Sequence, residues 1–237
     1  MKNPGFTLYY FSIGVIFLIF DFYKWFYPSL VAKAMIIPAL MIFYHIKVRR
    51  RYYLLHVLIL IGLFFSWMGD VFLHFSGNKI GLPLDKDLFF ILGLASFLLT
   101  QLIYIFAFSL PKGPNPVFNR RAYLLVLVTG YGCLLIWLLY RGLGDMKVPV
   151  IIYAAVILTM LLAALNRHGK VNGISFMLVS IGALLFVASD SMLAINKFHQ
   201  KFDFARILIM STYVAAQYLI AVGCIRQDES SFIDARG

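Results

Sequence analysis

IGLFFSWMGDVFL, residues 61–73, is an apolar run with one carboxylate, Asp70, inside it. A second run, IGALLFVASDSML at residues 181–193, aligns with it without a gap at an offset of 120 residues. Ile61 pairs with Ile181, Gly62 with Gly182, Asp70 with Asp190 and Leu73 with Leu193. The offset is about half of the 237-residue chain. The pattern predicts two halves, each burying one Asp in a membrane helix. An ionisable group in a membrane span is costly, and its default reading is functional, with a partner nearby.

The rest of the chain supports a membrane setting. It is 62% hydrophobic and only 13% charged. Apolar runs near 20 residues recur along it, which reads as an all-α, polytopic membrane protein. The runs are continuously apolar rather than alternating, which argues against a transmembrane barrel. Eight spans are expected, at about 6–22, 28–46, 52–74, 88–110, 121–140, 148–166, 173–195 and 204–225. The first lacks a small-residue cleavage site and reads as a span rather than a signal peptide. The whole of 1–237 reads as one transmembrane domain. The Pro-rich stretch PKGPNP at 111–116 marks a seam between repeats 1–112 and 117–237. Four helices per half make the two repeats parallel.

The net charge of +11 would suggest nucleic acid in a soluble protein. Here the cations fall in short loops, so they point to membrane orientation and lipid headgroups, with no nucleic-acid partner. With eight spans, both termini share a side that carries 12 Lys and Arg, including the KVRRR cluster at 47–51, against 8 on the other side. That bias places both termini in the cytoplasm.

Lys33 is a third charge inside a span. It lies about five residues into span 2, and Asp70 and Asp190 lie four or five from the ends of spans 3 and 7. At 1.5 Å per residue, all three are expected roughly 6–8 Å below the same membrane face. A purely structural ion pair between Lys33 and one Asp is the plain alternative to a catalytic cluster. Ser66 and Asp70 are four apart and share a helix face, as do Tyr213 and Gln217; Gln101 and Tyr104 are three apart. Each could orient a carboxylate or bind a polar headgroup, or simply bond a neighbouring helix. His74 is one turn beyond Asp70 and could line the entrance, with an interfacial histidine as the plainer reading. The two cysteines, Cys133 and Cys224, lack metal-ligand spacing and read as free thiols. No metal motif, phosphate-cradling loop or nucleophile elbow is evident, so no cofactor is expected.

Two carboxylates in a low-dielectric site suit acid–base work. One can remain protonated while the other is ionised. Such a pair can protonate an alkene or leaving group and activate water, through an oxocarbenium-like state of the glycosidase kind. The same groups could equally take up and release protons in a transporter, or serve a lipid-binding membrane protein.

At these residues the sequence resembles the lysoplasmalogenase family of YhhN-like integral membrane proteins. The resemblance rests on Lys33 followed by Pro38, on Gly69-Asp70 with Leu73, and on Phe90-x2-Gly93-x3-Phe97-x3-Gln101-x2-Tyr104. It continues through Ser189-Asp190-x2-Leu193-Ala194 and Tyr213-x3-Gln217. Together these cover spans 2–4 and 7–8. The chain departs from the family pattern at Gln101, where members often carry His. The resemblance implies hydrolysis of the vinyl ether bond of a single-chain lysophospholipid, giving a fatty aldehyde and a glycerophospho-base. It implies Asp70 and Asp190 as catalytic acid and base. Lys33, Ser66, Gln101, Tyr104, Ser189, Tyr213 and Gln217 are the expected substrate-binding residues. The expected surroundings are membrane lipids, with the substrate entering sideways between helices.

Overall fold

The computed structural model describes residues 4–49, 53–77, 85–113 and 122–231. Arg50, Arg51, Lys79, Arg120, Arg121 and the 114–116 part of PKGPNP lie outside the described residues.

Among the described residues the chain is all-α. The helices are α1 (Pro4–Phe22), α2 (Phe26–Val48), α3 (Leu54–Gly77), α4 (Lys86–Ser109), α5 (Tyr123–Leu139), α6 (Lys147–Leu165), α7 (Gly173–Phe198) and α8 (Ala205–Ser231), with a 3-10 turn at Gly144–Met146 before α6. Among the described residues seven stretches are long and apolar enough to cross a membrane, counting that turn with α6. The expected span at 121–140 is α5, which is shorter at 17 residues. At 1.5 Å per residue it is about 26 Å long, a little under the roughly 30 Å of a hydrocarbon core. The exposed surface is itself apolar: Trp137 is 74% exposed and Leu8 72%. Such side chains face lipid tails, which are as apolar as they are. The protein is an integral, multi-pass membrane protein.

The chain forms two compact units, Met1–Ile103 and Tyr104–Gly237, dividing inside α4. In the first, α2 packs between α1 and α3. The Phe6 and Phe43 rings stack at 3.9 Å and 3°. Helices α3 and α4 approach closely because two glycines leave room. A Cβ on Gly69 would lie 2.6 Å from the Phe97 ring, and one on Gly93 would lie 2.8 Å from Leu73.

In the second unit α7 and α8 are the most closely packed pair. A Cβ on Gly182 would come within 2.9 Å of the Ala216 carbonyl oxygen, which is backbone and cannot swing away. Leu139, Leu143 and Val150 form a core where α5 turns into α6, covered by Ala194, Ile195 and Phe198 of α7.

Arg167 departs from its sequence reading as a headgroup-facing cation. It is fully buried. Its guanidinium lies 5.4 Å from the Phe108 ring centre. Its Nη2 donates to Ser175 Oγ at 3.1 Å and to Gln227 Oε1 at 2.6 Å. The turn after α6 folds the chain back, so the planar fork stacks on an aromatic face instead of reaching water.

Candidate functional site

In the first unit the polar centre is an ion pair. Lys33 Nζ lies 3.5 Å from Asp70 Oδ1, and both side chains are buried. Phe17 sits below the ammonium, its ring centre 5.9 Å from Nζ. Pro38 explains why α2 and α3 lock together here. Proline has no N–H, so the carbonyl four residues before it loses its helical partner. That carbonyl belongs to Ala34, and Trp67 Nε1 of α3 donates to it at 3.0 Å. The bond sits one residue from Lys33 and three from Asp70. The backbone defect and the ion pair thus fix the same helix–helix contact.

The helices run further than the sequence suggested. Lys33 lies 7 residues into α2, Asp70 lies 7 from the end of α3, and Asp190 lies 8 from the end of α7. Each charge is therefore about 10–12 Å from its helix end, deeper than expected.

Ser66 donates to Thr100 Oγ1 at 3.2 Å, and Thr100 donates to the Gly62 carbonyl at 3.1 Å. This couples α3 to α4. His74 is buried rather than interfacial, with Nε2 at 3.4 Å from Ser29 Oγ and its ring beside Phe17 and Phe26. Gln101 is fully buried, and neither its Oε1 nor its Nε2 has a hydrogen-bond partner among the described residues. An unmet buried amide is costly.

In the second unit Asp190 is half-buried, and the Tyr153 hydroxyl of α6 donates to its Oδ2. The next residue, Ser191, accepts from Tyr131 Oη of α5 at 2.6 Å and donates to the Val187 carbonyl at 2.7 Å. Ser189 is turned toward α8, donating to the Ile209 carbonyl at 2.9 Å. Tyr104 donates to Gln217 Oε1 at 2.8 Å, both fully buried. Tyr213 packs edge-on to Phe186 at 5.6 Å. The structure therefore joins Lys33 to Asp70, Ser66 to Thr100, and Tyr104 to Gln217. It turns Ser189 away to a backbone carbonyl.

Tyr153 was missed by the sequence reading. A signal was available, because Tyr153 lies 120 residues after Lys33, the offset that separates Asp190 from Asp70. Among the described residues no group of three or more His, Cys, Asp or Glu is placed to hold a metal ion.

The profile described as the YhhN family matches residues 28–224, the region that contains both Asp centres. The chain belongs to the YhhN family. Among similar proteins, one named lysoplasmalogenase TMEM86A from Bos taurus is 34% identical over 175 residues, which is 72% of this chain and 66% of that protein. Lysoplasmalogenase TMEM86B from Homo sapiens is 34% identical over 137 residues, 58% of this chain and 54% of that protein. A protein named lysoplasmalogenase from Mycobacterium tuberculosis (strain CDC 1551 / Oshkosh) is 29% identical over 136 residues, 56% of this chain and 50% of that protein. The matches thus span between half and just under two thirds of these YhhN-family relatives. No solved structure matches the chain.

Proposed function

We propose that this YhhN-family protein is a lysoplasmalogenase, hydrolysing the vinyl ether bond of a single-chain lysophospholipid in the membrane. The observation that carries the reading is a repeated arrangement. Each of two intramembrane carboxylates meets a donor from the preceding helix, Lys33 on Asp70 and Tyr153 on Asp190. The names of the relatives point to the same reaction.

The chemistry needs a proton donor and a base. The acid protonates the vinyl carbon that does not bear oxygen. The resulting oxocarbenium ion takes up water at its oxygen-bearing carbon, and the water gives one of its two protons to the base, which passes it to the glycerol oxygen when the hemiacetal collapses; the remaining hydroxyl proton restores the acid. The hemiacetal then breaks its bond to the glycerol oxygen, which leaves with a proton. One water is consumed, and a fatty aldehyde and a glycerophospho-base are released. Asp70 and Asp190 divide the acid and base roles between them. Lys33 and Tyr153 orient them. Gln101, Ser66, Tyr104, Ser189, Tyr213 and Gln217 complete the proposal as the candidates for substrate contact.

The repeats 1–112 and 117–237 belong to the same proposal, supported by the shared offset of the two Asp–donor pairs. Cytoplasmic termini are supported by the excess of Lys and Arg on their side. The test is aldehyde release from a lysoplasmalogen by the purified protein in detergent, compared with the saturated alkyl-ether analogue. An enzyme releases aldehyde from the first alone and needs no gradient. Absence of release, with proton-linked uptake in sealed vesicles, would replace hydrolysis with transport.

A further inference from the structure

Apart from the hydrogen-bonded centre at Asp190, the second unit carries a long groove between α5 and α6. Its volume is about 780 Å³, within the range of sites that hold drug-sized ligands. It runs along α5 from Val128 to Arg141, about 20 Å at 1.5 Å per residue. Small residues open it: Gly132, Ala154 and Ala155 all line it. A second, small cavity of about 40 Å³ lies against Asp190 and Tyr153. The two share Ile136, Ala154 and Leu158 as walls, so three apolar side chains separate the groove from the Asp190 carboxyl.

The groove's two ends differ chemically. Its length is lined almost entirely by apolar atoms. Its Arg141 end is cationic, and Arg141 is exposed and makes no hydrogen bond or ion pair among the described residues. Lys147 lies over the ring of Tyr140, the residue before Arg141 in the groove wall, at 4.7 Å. An unpaired guanidinium at the mouth of an apolar channel matches a phosphate on a single aliphatic chain.

We propose that this groove is the binding track for one lysophospholipid. Its phosphate sits on Arg141, its chain lies along α5 and α6, and its first chain carbons sit at the Ile136–Ala154–Leu158 neck before Asp190. The assignment rests on the proposed hydrolysis for the identity of the lipid, but it makes its own claim about where the lipid binds. The proposal gives the track one chain, so a diacyl lipid is expected to compete poorly for it.

The test uses the full-length protein in nanodiscs with a non-hydrolysable alkyl-ether lysophospholipid carrying a photoreactive diazirine in its chain. Crosslinks are mapped by mass spectrometry, alongside the kinetics of aldehyde release. Crosslinks within residues 128–162, displaced by unlabelled lysoplasmalogen but not by a diacyl phospholipid or a free fatty acid, are the expected result. Ala155→Trp fills the groove from an exposed position, and Arg141→Gln removes the phosphate contact. Each should raise KM about tenfold with kcat nearly unchanged, the signature of lost substrate binding. Val126→Trp, on an exposed face outside the groove, should change neither. Crosslinks elsewhere, or crosslinks displaced equally by diacyl lipid or fatty acid, would overturn the track. So would an unchanged KM in a folded, active Ala155→Trp protein. Displaceable crosslinks in the groove without aldehyde release would instead keep the track and overturn the hydrolase reading.

Discussion

Tyr153 stands to Asp190 as Lys33 stands to Asp70. Each donor comes from the helix that precedes its Asp helix, and the two donors are separated by the same 120 residues as the two acids. The substitution of a phenol for an ammonium makes the two carboxyl environments chemically unequal, as an acid and a base require. If Asp190 transfers a proton as proposed, Tyr153→Phe should cut the rate of aldehyde release by about ten- to hundredfold while the protein remains folded, because the phenol positions that carboxyl. Turnover and melting temperature measured on one detergent preparation check this; an unchanged rate contradicts it.

The Lys33–Asp70 pair is buried, so removing one partner strands the other. Lys33→Met should lower stability by about 3–5 kcal/mol, and the double variant Lys33→Met/Asp70→Asn should recover most of that loss. Activity should stay low in both. Recovery of stability without recovery of activity would support the proposed catalytic role of the pair beside its structural one.

Trp67 and Pro38 are coupled through the Ala34 carbonyl. Trp67→Phe leaves that carbonyl without its partner from α3, at a cost of about 1–3 kcal/mol. Pro38→Ala supplies an N–H that can close the ordinary helical bond. The double variant should therefore be more stable than Trp67→Phe alone. Simple addition of the two losses in thermal unfolding would contradict the coupling.

Much of this was legible before the fold was known. The Gly-Asp and Ser-Asp stretches declare themselves because a lone carboxylate in an apolar run is rare, and the spans follow from hydropathy. Expected 52–74 became Leu54–Gly77, and expected 173–195 became Gly173–Phe198. Tyr153 stayed hidden because a tyrosine in an apolar helix looks like ordinary core. Arg167 departs from the general expectation for loop cations, which normally face headgroups, and only the backward turn after α6 shows its burial. The groove was invisible because it is made of missing volume at Gly132, Ala154 and Ala155, and small residues carry no signal of what they border.

Gly182 offers a test of the α7–α8 contact. Gly182→Ala should destabilise the protein by about 1–3 kcal/mol, because its methyl would meet the Ala216 backbone. Gly130→Ala meets nothing within 4 Å and should not destabilise it. Equal melting temperatures for the two variants would contradict the close packing that holds α7, and Asp190 with it.

Asp70→Asn and Asp190→Asn keep the size of each side chain and remove its acid–base function. The most direct measurement is aldehyde release from a lysoplasmalogen by the purified wild type and these two variants, each shown to be folded. The account predicts release by the wild type, none from the saturated alkyl ether, and a loss of about 100-fold or more in each variant. Full activity in either folded variant would contradict it.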